Sequence, residues 1–138
     1  MKRIALIAVL ALAGCAAAAA EGPSTATPVM SATTTNSGQP IVLPQGPVQV
    51  SVSTVVIAAG ARLPVHKHPW PRYAYVQSGR LKVINLDTGG EVEFGPGQFI
   101  VEALGQWHTG VALGTGDVTL LVIDQHEPGK ANTVLREP

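Results

Sequence analysis

The sequence predicts an all-β domain, and three observations carry that prediction. Between residues 41 and 126, apolar residues recur with a period of two, the pattern of half-buried strands. The apolar runs are short, and Gly, Pro, Asn or Asp separates most of them. After residue 40 no stretch keeps a 3.6-residue period over ten residues. Short, regularly spaced strands punctuated in this way build a β-sandwich, a jelly roll or a small barrel.

The chain begins with a different kind of segment. Lys2 and Arg3 precede the unbroken apolar run Ile4 to Leu12, which falls short of the roughly 20 residues that a membrane-spanning helix needs. Residues 1–20 therefore read as an export signal. The run ends Leu12-Ala13-Gly14-Cys15, which resembles the lipobox of bacterial lipoproteins. That resemblance implies cleavage before Cys15, lipidation of its thiol and, with Ala16 following, an outer-membrane anchor. The alternative is an ordinary secretory signal cut after Ala18-Ala19-Ala20, with Cys15 incidental. Both readings export the protein, to the periplasm, to the outer membrane or into the medium. Residues 21–40, rich in Ser, Thr, Pro and Gly, read as a flexible linker. The folded domain is expected over 41–126, with a polar tail over 127–138.

Within the domain each strand has a local reason. Val48, Val50 and Val52 alternate with Gln49, Ser51 and Ser53, and the run reaches Ile57 before Ala59-Gly60 breaks it. Tyr73 to Gln77 forms a second run, ended by Ser78-Gly79. Arg80 to Ile84 alternates charged and apolar residues, as a half-solvated strand does. Asp87-Thr88-Gly89-Gly90 supplies hairpin residues that tolerate positive φ, and Glu91 to Phe94 returns. Gly95-Pro96-Gly97 turns the chain into Gln98 to Ala103. Val111 to Leu113 and Val118 to Ile123 complete the set.

Composition narrows the function. A chain of 138 residues allows one domain. Nine basic and nine acidic residues, with no basic cluster, argue against a nucleic-acid partner. One cysteine allows neither an internal disulfide nor a Cys-x-x-Cys zinc site. No Gly-x-Ser-x-Gly or phosphate-binding loop is present. So small a core makes a homodimer built through a sheet plausible.

The candidate chemistry lies in the histidines. His66 and His68 stand two apart, so on a strand they share a face. Two imidazoles on one face can hold a divalent ion if a third ligand joins them, and His108 is the candidate. Surface or merely hydrogen-bonded histidines are the competing reading. His126, just past the last strand, is expected at the surface.

The segment Gly60-(five residues)-His66-Lys67-His68-(three residues)-Arg72-(six residues)-Gly79 resembles the first motif of the cupin family. Gly90 through Pro96-Gly97 to His108 is similar to the second. The resemblance spans about residues 45–125 and implies a jelly-roll β-barrel. It also implies a divalent metal, whether Fe, Mn, Zn, Ni or Cu, held by His66, His68 and His108. Two positions depart from the family pattern: Arg72 stands where the motif has glutamate, and Ala112 where it has asparagine. Three neutral ligands would leave the ion its full charge and favour an anionic co-ligand.

Arg72 then has three readings. It shares parity with His66 and His68 and could grip a substrate carboxylate. It could repel a cation and leave a metal-free, anion-binding barrel. Or Pro69 and Pro71 break the strand and leave it at the surface. Glu102, on an otherwise apolar run, could be an additional ligand, a partner of Arg72, or solvated. All six aromatic residues lie from Trp70 to Trp107, so Trp70, Tyr73, Tyr75 and Trp107 are candidates for a pocket wall. The functional expectation is an exported single-domain cupin that binds a divalent metal through the three histidines, its enzymatic reading being a metal-dependent oxygenase or isomerase acting on a small anionic or phenolic molecule. The alternative is a non-catalytic module that binds or senses a small anion or sugar.

Overall fold

Alternating apolar residues require a two-sided sheet, and the computed structural model, which describes residues 22–137, builds two of them. Residues 1–21, with the expected export signal and Cys15, lie outside the described residues. The strands are β1 (Gln49–Ile57), β2 (His66–Lys67), β3 (Arg72–Ser78), β4 (Arg80–Asn85), β5 (Glu91–Phe94), β6 (Phe99–Val101), β7 (His108–Leu113), β8 (Val118–His126) and β9 (Val134–Leu135). One sheet runs β1-β8-β3-β6 and the other β5-β4-β7-β2-β9. Every strand pairing is antiparallel, and no helix occurs among the described residues. The two sheets face each other as a jelly-roll barrel, which is the expected fold class.

Parity sets the core. On β8 the even residues Val118, Leu120 and Val122 are buried while the odd residues are half-exposed. They meet Ile57, Ala74, Val76, Leu81, Val83, Ile100 and Ala112 from five other strands. Enclosing each Val or Leu side chain contributes about 1.5–3 kcal/mol. The β3–β4 connection depends on Gly79, whose φ is +78°. A Cβ there would stand 2.5 Å from the Asp117 carbonyl oxygen and 2.8 Å from Val118 Cα, so no other residue fits without moving β8.

The packing extends beyond the 41–126 span at both ends. The expected linker includes a folded strap: Thr34 bridges Pro40, and the Asn36 amide donates to the Val101 carbonyl at 2.7 Å. Gln39 exchanges two side-chain hydrogen bonds with the Leu104 backbone, at 2.9 and 2.8 Å. Here side-chain amides bond the barrel where apolar pattern is lacking. The expected polar tail contributes β9, which pairs with β2, and Asn132, only 5% exposed. His126, expected at the surface, is buried at the end of β8 with Nε2 3.0 Å from Ser51 Oγ. It keeps the inward parity of Val118 to Val122.

Candidate metal centre

Pro64, Pro69 and Pro71 flank the two-histidine segment and confine β2 to two residues. That short pairing suffices, because His66 lies in register with His108 on one side and Leu135 on the other. His68 follows two residues later, with the same inward parity, and bridges Leu104. His66, His68 and His108 are all buried, and their ring centroids lie 4.5–4.9 Å apart.

Backbone carbonyls orient all three rings. Nδ1 of His66 lies 2.7 Å from the Pro64 oxygen, that of His68 2.6 Å from the Asn132 oxygen, and that of His108 2.8 Å from the Gln106 oxygen. A carbonyl only accepts, so each Nδ1–H donates, and a ring held this way turns its Nε2 inward, as a lone pair whenever the ring is neutral. One ring nitrogen from each histidine falls within 4.8 Å of the other two. Nε2 of His68 and of His108 is fully buried and makes no hydrogen bond. Buried ring nitrogens that converge in this way suit a cation, so the residues present fit a divalent ion.

Glu102 joins this centre. Just past β6, its backbone amide donates to the Arg72 carbonyl at 3.0 Å. Its Oε2 stands 3.2 Å from His108 Nε2 and 3.6 Å from His68 Nε2. Of the three expected roles of Glu102, a solvated side chain is thus corrected: its carboxylate lies beside two of the three histidines, brought there from just past β6 rather than from the motif position held by Arg72. Burial opposes its ionisation, but the His108 and His68 rings outweigh burial and hold it well below the usual carboxylate range. Burial also pushes the His108 pKa down, while the Glu102 carboxylate pushes it up more strongly, so the net shift is upward. Burial dominates at His66 and lowers it to about 4, so that ring is neutral near pH 7.

Arg72 is the first residue of β3 and lies opposite Asp124. The prolines precede the strand instead of breaking it, so parity holds and the surface reading is corrected. Its Nε and Nη2 donate to the two Asp124 oxygens at 2.7 and 2.9 Å. Asn132 Nδ2 donates to the same carboxylate at 2.6 Å. The Arg72 charge is thus neutralised inside the barrel, while Nη1 takes no part in the pair.

A cavity of about 50 Å³ adjoins the centre, with His66, Arg72, Glu102 and His108 at its polar end. Val55, Leu63, Leu81, Val83, Leu120 and Val122 form the rest of its wall. The expected aromatic wall is absent from that lining. Tyr73 and Tyr75 have the odd parity of β3, opposite to buried Ala74 and Val76, and so face outward. Trp70 joins the centre only through its amide, which donates to Asn132 Oδ1 at 2.9 Å. Trp107 lies under the Lys67 ammonium, 4.5 Å from the ring centroid.

Two participants escaped the sequence reading. Asp124 had a usable signal, since it continues the inward parity of Val118, Leu120 and Val122, where an acid needs a partner. Asn132 had none, because it lies past the last apolar run.

A jelly-roll barrel that gathers three imidazoles and a carboxylate at one end defines a class of small β-barrel proteins with an internal metal-type site. The Cupin_2 model, a cupin domain, matches residues 53–124, and the chain belongs to that family. No curated protein matches the sequence. Among solved structures it is similar to the polyketide cyclase RemF from Streptomyces resistomycificus, at 24% identity and a TM-score of 0.53 over 64% of this chain and 62% of that one. An oxalate oxidase in complex with glycolate is 28% identical, with a TM-score of 0.52 over 62% of this chain and 45% of that one. A sugar phosphate isomerase of the cupin superfamily from Silicibacter pomeroyi is 25% identical, with a TM-score of 0.50 over 58% of this chain and 52% of that one. The chain therefore spans less than two thirds of each of these structures.

Proposed function

We propose that the protein is an exported cupin that binds one divalent metal ion through His66, His68, His108 and Glu102 and acts on a small carboxylate. The observation that carries the proposal is the convergence of three backbone-oriented imidazoles with Glu102 Oε2, 3.2 Å from His108 Nε2. When bound, the ion would supply Lewis-acid or one-electron chemistry at the polar end of the cavity.

The chain's own groups define the rest. The Pro64, Asn132 and Gln106 carbonyls hold the tautomers that expose Nε2. Glu102 offsets one unit of the ion's charge, and Arg72 and Asp124 cancel each other. One positive charge remains, matched to a monoanion. The Nη1 donors of Arg72 are free to orient that anion. Aliphatic side chains form the opposite wall. A cavity of about 50 Å³ holds only a few water-sized groups, which favours a small carboxylate over a phenolic ring. The similarity to an oxalate oxidase seen with glycolate supports the same ligand class. A metal-free sensing role draws its support from the absent motif glutamate, and a carboxylate beside His108 and His68 weighs against it.

The test is metal analysis of the full chain after expression with iron, manganese and zinc all supplied. About one equivalent is expected; less than about a tenth would overturn the metal reading. A His66→Ala, His68→Ala double variant that keeps its metal would remove these ligands from the assignment. Oxygen uptake or product formation with small carboxylates tests the enzymatic part, and a fully loaded protein that turns over none of them would reduce the role to binding. For export, the mass of the mature protein separates a lipidated Cys15 terminus from a plain cut after Ala20.

A further inference from the structure

The aliphatic wall of the cavity is of two kinds. Leu81, Val83, Leu120 and Val122 belong to the buried core, whereas Val55 and Leu63 are only partly buried. Leu63 lies outside the named strands, on the segment between β1 and β2, yet β7 holds both of its backbone groups. Its amide donates to the Gly110 carbonyl at 2.8 Å, and its carbonyl accepts from the Thr109 hydroxyl at 2.6 Å. Arg62 bridges Val111, and the Ala112 amide donates to the Ala61 carbonyl at 2.9 Å. Residues 61–63 are thereby fixed as a short extra strand along β7. Gly110 stands two residues after His108 with the same inward parity, about 7 Å along β7, and it lines the cavity. Glycine inside a strand weakens it and marks a close approach. A Cβ at Gly110 would stand 3.2 Å from Cδ1 of Leu63 and of Leu81, so the missing methyl lets both side chains close onto the β7 backbone.

We propose that Leu63, seated on Gly110, sets the length of the carboxylate that the centre accepts. The inference rests on the reading of the centre as a carboxylate site. His66, Arg72, Glu102 and His108 take up the polar end of the cavity, so a bound acid extends its carbon chain only toward the aliphatic wall. A cavity of about 50 Å³ has room for about four water-sized groups, the size of acetate or glycolate. Longer chains meet the wall. Leu81, Val83, Leu120 and Val122 cannot be shortened without opening the core that joins the two sheets. Leu63 belongs to a connecting segment whose position is held by backbone hydrogen bonds and the Thr109 hydroxyl, so its side chain can change while its backbone stays in place. Shortening it to alanine frees room for about three chain carbons, directly over Gly110, where no Cβ takes the space. Val55, on β1 opposite Leu120, is a shorter side chain and would free less.

The test is isothermal titration calorimetry of the full chain loaded with zinc, which has no redox chemistry of its own. The titrants are acetate, propionate, butyrate and hexanoate. Wild type is expected to bind butyrate at least about tenfold more weakly than acetate, because a misfit methylene in an apolar pocket is worth about that factor or more. Leu63→Ala is expected to shift the ratio of butyrate to acetate Kd by about 10- to 100-fold in favour of butyrate. If that variant fails to fold or to load zinc, Leu63→Val serves in its place, with a shift of about tenfold in favour of propionate. Val111→Ala, on the same strand but facing outward, is expected to keep the wild-type ratios. A wild type that binds all four acids alike overturns the inference and leaves the carboxylate reading standing. So does a loaded Leu63 variant with the wild-type ratios. A zinc-loaded wild type that binds none of the acids overturns both.

Discussion

Replacing Asn132 by Ala tests whether the segment beyond β8 completes the metal centre. The side chain is buried and makes two short bonds: Oδ1 accepts from the Trp70 amide at 2.9 Å, and Nδ2 donates to Asp124 at 2.6 Å. Alanine leaves the Trp70 amide without this acceptor, a loss of about 1–3 kcal/mol, and deletes a hydrogen bond to a charged group, worth about 1.5–3 kcal/mol. The two losses share one residue and will not add fully. A net destabilisation of about 3 kcal/mol is expected, a large fraction of the roughly 5–15 kcal/mol that holds a domain together. Urea unfolding of the metal-free protein measures it. The Asn132 carbonyl also orients His68 through Nδ1 at 2.6 Å, so loosening this segment should weaken metal binding about 10- to 100-fold. Competition with a chromophoric chelator measures that loss. Asn132→Asp should be worse than Ala at neutral pH, because it sets a second carboxylate against Asp124, and it should recover on acidification. A stability loss below about 1 kcal/mol together with unchanged metal affinity would refute the idea that this residue ties the tail to the centre.

Glu102→Gln keeps the shape and removes the charge, so metal affinity should fall at least about tenfold in the same competition assay; an unchanged Kd would exclude Glu102 as a ligand. The metal-free protein should lose stability as pH falls from 6.5 to about 4, because the His66 pKa is lowered to about 4 in the folded state. In that window the unfolded chain binds a proton that the folded chain does not, so stability rises with pH, by on the order of 2–3 kcal/mol across it. Urea midpoints against pH should show this slope, and His66→Gln should flatten it. Gly79→Ala places a Cβ against the Asp117 carbonyl at positive φ and should cost about 2–4 kcal/mol, seen as a fall in Tm of about 10 °C or more.

How much of the centre was legible in the chain follows from the range over which each signal acts. His66 and His68 were readable because side-chain parity along a strand is a local rule, and their burial obeys it. Val118, Leu120 and Val122 announced the inner face of β8 in the same way, and the same rule extended two and four residues further locates Asp124 and His126. Tyr73 and Tyr75 went astray where composition was weighed above parity, since their odd positions place them opposite Ala74 and Val76. The strap at Thr34–Pro40 and the Asn132 segment carry no apolar period. They are held by amide hydrogen bonds, which leave little trace in a hydrophobic pattern.

The sequence by itself determined the all-β class, the inward-facing histidine pair, the turns around Gly79 and Gly97, and the likeness to the cupin family. Only the tertiary structure decided that Glu102 stands beside His108 and His68, that Arg72 is spent on Asp124, and that the Asn132 carbonyl meets His68. The physical reason is that alternation along a strand is written in neighbouring residues, whereas register between strands is not. Which carboxylate reaches an imidazole depends on how β3, β6 and β8 align across the sheet, and that alignment is settled by the packing of the whole barrel.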